Sequence, residues 1–188
     1  KVILHEELES QIKDQHIELV NEFEPLLLSV DIEKSKLVNS KQLDIDFLTL
    51  LDGHHRFDFI SRNNINPEIK MVIVSSEDVN VDSYLSEINI EKEDFINLLE
   101  SKNFRTNSNS QFYLKIDNDI YSSNEISTIY ELYDFKRECF KNGLISPLAN
   151  DIQSKKQNVL SFTPIKLNEF YKENYLFPPK STWITPRI

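Results

Sequence analysis

Leu50-Leu51-Asp52-Gly53-His54-His55-Arg56-Phe57 is the most chemically dense stretch of the chain, with a carboxylate, two imidazoles and a guanidinium set around a glycine. The 188 residues contain only two glycines, so one at this place implies a backbone conformation or a close approach that other residues do not reach. The apolar Leu48, Leu50 and Leu51 lead into the cluster, and Phe57 and Phe59 follow it, which anchors the turn to a core. Upstream, Leu43, Ile45 and Phe47 alternate with Asp44 and Asp46, the period of a strand, and we expect that strand to run through Leu51 up to the glycine. Downstream, His55, Phe57, Phe59 and Ile60 with Arg56 and Arg62 outward predict a short helix that stops before Asn63. A strand, a glycine and a helix N-terminus together make an anion-binding arrangement, because the first amides of a helix lack internal acceptors and point outward.

Working outward, Lys1 to Leu4 reads as a short strand delivering His5-Glu6-Glu7 to its end. Ile12, His16, Leu19, Val20 and Phe23 recur at helical spacing, and Pro25 ends that helix. Leu26-Leu27-Leu28-Ser29-Val30 suits a buried strand, Asp31 to Lys41 a charged loop, and Met71-Val72-Ile73-Val74 another buried strand. Phe95, Leu98 and Leu99 mark an amphipathic helix over 91–102. Asp117-Asn118-Asp119 sits between two strand-like runs as the turn of a hairpin. We expect helix over 125–142 with Gly143 as its C-terminal cap, a last strand over 158–162, a short helix over 167–172, and an extended, proline-stiffened end over 176–183.

The bulk composition narrows the function. With 39% hydrophobic and 11% aromatic residues the chain can fill a core. A formal net charge of −10 removes the usual electrostatic basis of nucleic-acid binding. The single cysteine, Cys139, has no internal disulfide partner and reads as a buried structural thiol in a reducing compartment. No apolar run reaches the roughly 20 residues of a membrane span, so a cytoplasmic location is expected. The opening at Lys1 rather than methionine leads us to expect natural sequence before it.

At the central cluster, metal and phosphate are the competing chemistries. Two histidines and an aspartate are ligand types, yet adjacent histidines point different ways, and no cysteine cluster or HExxH spacing completes a zinc shell. Phosphate accounts for more of the residues: guanidinium forks and imidazole N–H groups meet its oxygens, helix amides add to them, and an aspartate holds Mg²⁺. A solvated surface turn is the bland reading. His5-Glu6-Glu7 alone is no more than acidic residues at a helix start. Pro179-Lys180-Ser181-Thr182 presents an ammonium and two hydroxyls on a stiff backbone, suited to a carboxylate or phosphate. An ordinary C-terminal arm with Trp183 docked on the surface is as good an account of that spacing.

Leu4-His5-Glu6, Pro25-Leu26-Leu27-Leu28, Asp52-Gly53-His54-His55-Arg56 and Phe177-Pro178-Pro179-Lys180-Ser181-Thr182, in this order, resemble the free serine kinase-like branch of the ParB/sulfiredoxin superfamily, and more closely its DGHHR- and PPKST-bearing relatives catalogued as a domain of unknown function. The resemblance implies an α/β (mixed α+β) fold, a ParB/sulfiredoxin-like core of mixed sheet with flanking helices and a small inserted α+β region. It implies a core over 1–75, an inserted region over 76–157, and a segment over 158–188 that returns the PPKST motif to the active site.

The function it implies is phosphoryl transfer from ATP or ADP to the hydroxyl of free L-serine or a similar hydroxy amino acid. By position, Glu6 becomes the catalytic base, Asp52 a catalytic residue at Mg²⁺, and His54 a catalytic and phosphate-binding residue. Gly53, His55 and Arg56 join His54 at the nucleotide phosphates, and Lys180, Ser181 and Thr182 bind substrate. Relatives often carry a basic residue in the first helix where Gln15 or His16 stands here, and a lysine where Arg187 stands. A nucleotide-binding sensor or regulatory module without turnover is the alternative. The partners implied are the small substrate and the nucleotide, with neither nucleic acid nor membrane.

Overall fold

The computed structural model describes residues 2–8, 26–30, 36–39, 42–44, 48–63, 71–106, 110–148, 158–171 and 175–185. In chain order the strands are β1 (Val2–Ile3), β2 (Leu26–Val30), β3 (Lys36–Asn39), β4 (Gln42–Asp44), β5 (Leu48–Asp52), β6 (Met71–Ser75), β7 (Asn80–Ser83), β8 (Ser86–Ile88), β9 (Arg105–Thr106), β10 (Tyr113–Ile116), β11 (Asp119–Ser122), β12 (Ile145–Pro147), β13 (Val159–Phe162) and β14 (Thr182–Thr185). Three α-helices accompany them among the described residues: α1 (His54–Arg62), α2 (Lys92–Ser101) and α3 (Ile129–Lys141). The fold is mixed α/β, as expected. The described helices include none long and apolar enough to cross a membrane.

The chain forms two compact units. The first comprises Lys1–Val81, Lys166–Pro179 and Ile184–Ile188, and the second comprises Asp82–Ile165 and Lys180–Trp183.

The first unit carries a four-stranded mixed sheet in the order β1-β5-β2-β6. β5 lies parallel to β1 and antiparallel to β2, and β2 lies parallel to β6. Leu26, Leu28 and Leu50 are buried together, with Val2, Leu4, Leu48 and Phe57 packed against them. The apolar approach to the glycine therefore serves as core: Leu50 and Leu51 hold β5 in the sheet, and Asp52 emerges at its end.

Several expectations need correction here. The predicted strand from Leu43 to the glycine contributes to two different sheets: β4 pairs with β3 in a two-stranded sheet, and β5 belongs to the four-stranded one. The two-stranded sheet also places a strand, β3, inside the 31–41 stretch read as loop. β6 has the expected extent but is not a buried strand, since Met71 is 58% and Ile73 48% exposed. Its apolar run reads as interior, yet β6 is the terminal strand of the sheet among the described residues, and Met71 and Ile73 on one face of it are exposed. The helix expected around Ile12 to Phe23 lies outside the described residues.

The second unit is built on a six-stranded sheet in the order β12-β8-β13-β10-β11-β9, all of whose pairs are antiparallel. β10 and β11 form the predicted hairpin, with Asp117 in the left-handed region at φ 54°. Both helices occupy their expected stretches, but α3 starts only at Ile129. Thr128 and Glu131 form a capping box there, in which the Thr128 hydroxyl accepts the Glu131 amide and the Glu131 carboxylate accepts the Thr128 amide. Gly143 ends it at φ 68°: its amide donates to the Phe140 carbonyl and the Leu144 amide to the Cys139 carbonyl, the paired bonds of a Schellman cap. The short helix after Ile165 is a 3-10 turn over Leu167–Tyr171. β13 is not the last strand, because Thr182–Thr185 pairs with β7 as β14.

Candidate active site

Gly53 joins β5 to α1 with φ 90° and ψ 24°, a left-handed conformation that glycine adopts without steric penalty. Space demands glycine as well. A Cβ built there would fall 2.5 Å from Leu26 Cδ2, 3.0 Å from Arg56 Nη2 and 3.2 Å from Arg56 Nε. The Arg56 guanidinium is thus folded back across the glycine. The Phe57 amide donates to the Gly53 carbonyl at 2.8 Å, closing the first turn of α1.

Gly53 has no side chain to cap the helix and the first turn holds no acidic residue, so the positive end of the helix dipole is presented with His54, His55 and Arg56 around it. Asp52 turns back instead, and its Oδ1 accepts the Gly53 amide at 2.7 Å. This bond braces the loop and engages one of the two Asp52 oxygens.

β1 is parallel to β5, so the residues following it emerge at the same end of the sheet as Asp52 and Gly53. His5 is fully buried there. Its Nδ1–H donates to the Leu50 carbonyl at 3.0 Å, and its ring stacks on Phe170 with centroids 3.9 Å apart and planes 4° from parallel. His54 Nε2 lies 3.3 Å from the same His5 nitrogen, and the two rings meet edge to face. Burial, reinforced by the neighbouring His54, pushes the His5 pKa well below the ordinary histidine value, although the Leu50 carbonyl opposes this. His5 is therefore neutral at pH 7. Its Nε2 lies 3.8 Å from Glu6 Oε1.

The closing segment reaches this strand end. Glu6 and Phe177 form a parallel bridge: the Phe177 amide donates to the His5 carbonyl at 2.8 Å, and the Glu7 amide donates to the Phe177 carbonyl at 2.8 Å. Phe177 and Pro178 are buried, and Phe177 packs edge-on against both Phe170 and Tyr175. The first unit thus brings together Glu6, Asp52, Gly53, His54, His55 and Arg56 of the predicted residues, and adds Phe177 and Pro178 from the closing motif.

The other predicted residues, Lys180, Ser181 and Thr182, belong to the second unit. Lys180 is left-handed at φ 54°, and its ammonium lies 5.5 Å from the centre of the Tyr84 ring. Ser181 is buried and its carbonyl accepts the Tyr84 amide at 3.1 Å; Thr182 opens β14.

Two side chains escaped the sequence reading. His5 stood in the sequence within His5-Glu6-Glu7 and the Leu4-His5-Glu6 motif without a role of its own, and its stacking partner Phe170 lies 165 positions away (170 − 5), beyond any local pattern. Lys136 did leave a signal. It occupies the buried stripe of α3 with Ile129, Leu132, Tyr133 and Cys139, where a lysine is out of place.

No group of three or more His, Cys, Asp and Glu side chains is arranged to hold a metal among the described residues. Cys139 is buried, and desolvation pushes its thiol up to about 12, which leaves it inert.

No protein-family model matches the sequence, and no curated protein matches it. Solved structures do. A free serine kinase in complex with AMP matches over 98% of this chain and 83% of its own, with 16% identity and a TM-score of 0.61. A glutamate mutant of free serine kinase in complex with ADP gives a TM-score of 0.60 at 17% identity, over 98% of this chain and 84% of its own. SbnI from Staphylococcus aureus, truncated at its C-terminus, matches over 100% of this chain and 81% of its own, with 12% identity and a TM-score of 0.69. At these identities the likeness is one of fold, and the chain has the mixed α/β, ParB-like fold of free serine kinase and SbnI.

Proposed function

We propose that the chain is a nucleotide-dependent phosphotransferase acting on the hydroxyl of free L-serine or a similar small hydroxy amino acid. The observation that carries this reading is the glycine-capped N-terminus of α1, bearing His54, His55 and Arg56, beside the strand end that presents Glu6. The fold shared with an AMP- and ADP-bound kinase supports it.

Phosphoryl transfer asks a protein chiefly for positioning and for positive charge around the phosphates. The Arg56 guanidinium and the N-terminal end of the α1 dipole supply that charge, and the His54 and His55 imidazoles add hydrogen-bonding groups. A serine hydroxyl is a weak nucleophile until its proton is taken, and Glu6 takes it. A neutral His5 beside Glu6 does not offset the negative charge that makes the carboxylate a base. One carboxylate at the loop fits Mg²⁺, which prefers one or two carboxylates with phosphate oxygens and water completing its shell. Asp52 would hold it while Oδ1 keeps the Gly53 amide, and the ion would neutralise charge on the transferring phosphoryl group. By the resemblance of the closing motif, Lys180, Ser181 and Thr182 are the residues that would bind the amino acid or its phosphorylated product.

Incubation with Mg²⁺, serine and ATP or ADP, with O-phosphoserine followed by mass spectrometry, tests the reading directly. Glu6→Gln is expected to abolish transfer with nucleotide affinity kept, and Arg56→Ala to weaken nucleotide binding. A fully active Glu6→Gln protein refutes the assignment of the base. Tight nucleotide binding with no product over hours would instead identify a nucleotide-binding regulatory module.

A further inference from the structure

Lys136 is fully buried in the middle of α3. Stranding an ammonium in a protein interior is costly unless its charge is met by hydrogen bonds or other compensating groups. Lys136 Nζ donates to the Lys180 carbonyl at 2.8 Å and, at 3.5 Å, to the Tyr84 carbonyl. It also lies 5.3 Å from the ring centres of Tyr133 and Phe162 and 5.7 Å from that of Phe140, within cation–π range.

The Lys180 and Ser181 carbonyls of the predicted substrate hook are thus held by α3 and by Tyr84, which lies between β7 and β8. The Tyr133 hydroxyl reaches the Ser181 carbonyl at 3.5 Å, and the Tyr84 amide donates to that same carbonyl at 3.1 Å. Lys180 itself sits at φ 54°, a conformation a side-chain-bearing residue adopts only when its surroundings hold it there. The Lys136 ammonium, 2.8 Å from the Lys180 carbonyl, is a charged donor to that turn.

We infer that Lys136 is the positioning residue of the Lys180–Thr182 hook: its buried ammonium holds the Lys180 carbonyl, and through it the left-handed turn that presents the Lys180 and Thr182 side chains to the substrate. This rests on the reading of that hook as the site of the amino acid. A mere core lysine would affect stability alone, whereas a positioning lysine also governs the geometry of the hook and the affinity for the acceptor.

The chain offers a direct reporter. Trp183 is its only tryptophan, adjacent to Thr182, and it meets the Tyr84 ring edge to face at 5.6 Å. Three readouts are taken on Lys136→Met: acrylamide quenching of Trp183, hydrogen exchange of the Tyr84 amide, and the separate KM values for serine and nucleotide. Quenching and Tyr84 exchange are expected to rise, and the serine KM to increase about tenfold, the loss of one charge-assisted hydrogen bond, with the nucleotide KM within about twofold of wild type.

A folded Lys136→Met protein with wild-type quenching, exchange and serine KM overturns the inference. If Lys136→Met does not fold, Lys136→Gln is read in the same way, and wild-type values in it overturn the inference equally. Should the wild-type protein show no transfer to serine, the proposed function fails, while quenching and exchange still decide whether Lys136 holds the hook.

Discussion

Glu6 and Phe177, 171 positions apart in sequence (177 − 6), face each other across a parallel bridge that joins the end of β1 to the closing segment of the chain. The proposed base is therefore seated by a backbone that comes from the other end of the protein. Phe177 is buried between Phe170 and Tyr175, and the first of these also supports His5.

Phe177→Ala removes that anchor. Truncating a fully buried phenylalanine costs about 3–5 kcal/mol. The variant is expected to show this loss in urea unfolding, and to lose catalytic turnover before it loses nucleotide binding, because the Phe177 backbone is bonded directly to the residues on either side of Glu6. Equal loss of the two would count against the bridge as the support of Glu6.

Gly53→Ala meets two penalties at once. The left-handed backbone costs a side-chain-bearing residue about 1–2 kcal/mol, and the added methyl collides with Leu26 and displaces the Arg56 guanidinium. Calorimetric titration with ADP is expected to show binding weakened by at least tenfold, a step of about 1.4 kcal/mol. Wild-type affinity in Gly53→Ala would show that neither the turn nor the Arg56 position matters to the nucleotide.

His5 gives the protein an acid-sensitive joint. Its pKa is lowered by folding, so the unfolded chain takes up a proton that the folded chain refuses. Its contribution is intact above the ordinary histidine pKa of about 6.5, and stability falls as the pH drops below it, by up to about 1.4 kcal/mol per unit until the folded group also protonates. Urea midpoints measured from pH 7.5 to pH 5 should decline for the wild type and decline less for His5→Phe, which keeps the stacking on Phe170. Parallel pH profiles in the two proteins would exclude His5 as the group responsible.

Cys139 should be silent in the native state. With its thiol pushed up to about 12 and the residue buried, it is expected to react with a disulfide reagent at pH 8 only after denaturation. Rapid stoichiometric labelling of the folded protein would contradict the packing of α3.

Local chemistry made part of this protein legible from sequence. The glycine at the head of α1, the Asp117-Asn118 hairpin turn and the Gly143 cap were readable because each depends on a few neighbouring residues with unusual backbone demands. The helical stripes of α2 and α3 were readable because their period is set by one turn of helix. The sequence also contained the proposed phosphate-binding set, since Gly53, His54, His55 and Arg56 are consecutive.

Tertiary structure alone decided the rest, and the reason is that burial and strand neighbours are non-local. An apolar run such as Met71 to Val74 reads the same whether or not its faces are packed, and only the folded structure shows Met71 and Ile73, on one face of β6, exposed. The neutrality of His5 comes from Leu50, His54 and Phe170 closing around it. The seating of Glu6 on Phe177 and the enclosure of Lys136 beneath the Lys180 carbonyl likewise arise from pairings 171 and 44 positions apart, beyond the reach of any local pattern. Residue types named the chemistry available to this protein, and folding set which groups stay charged, which are held still, and where they point.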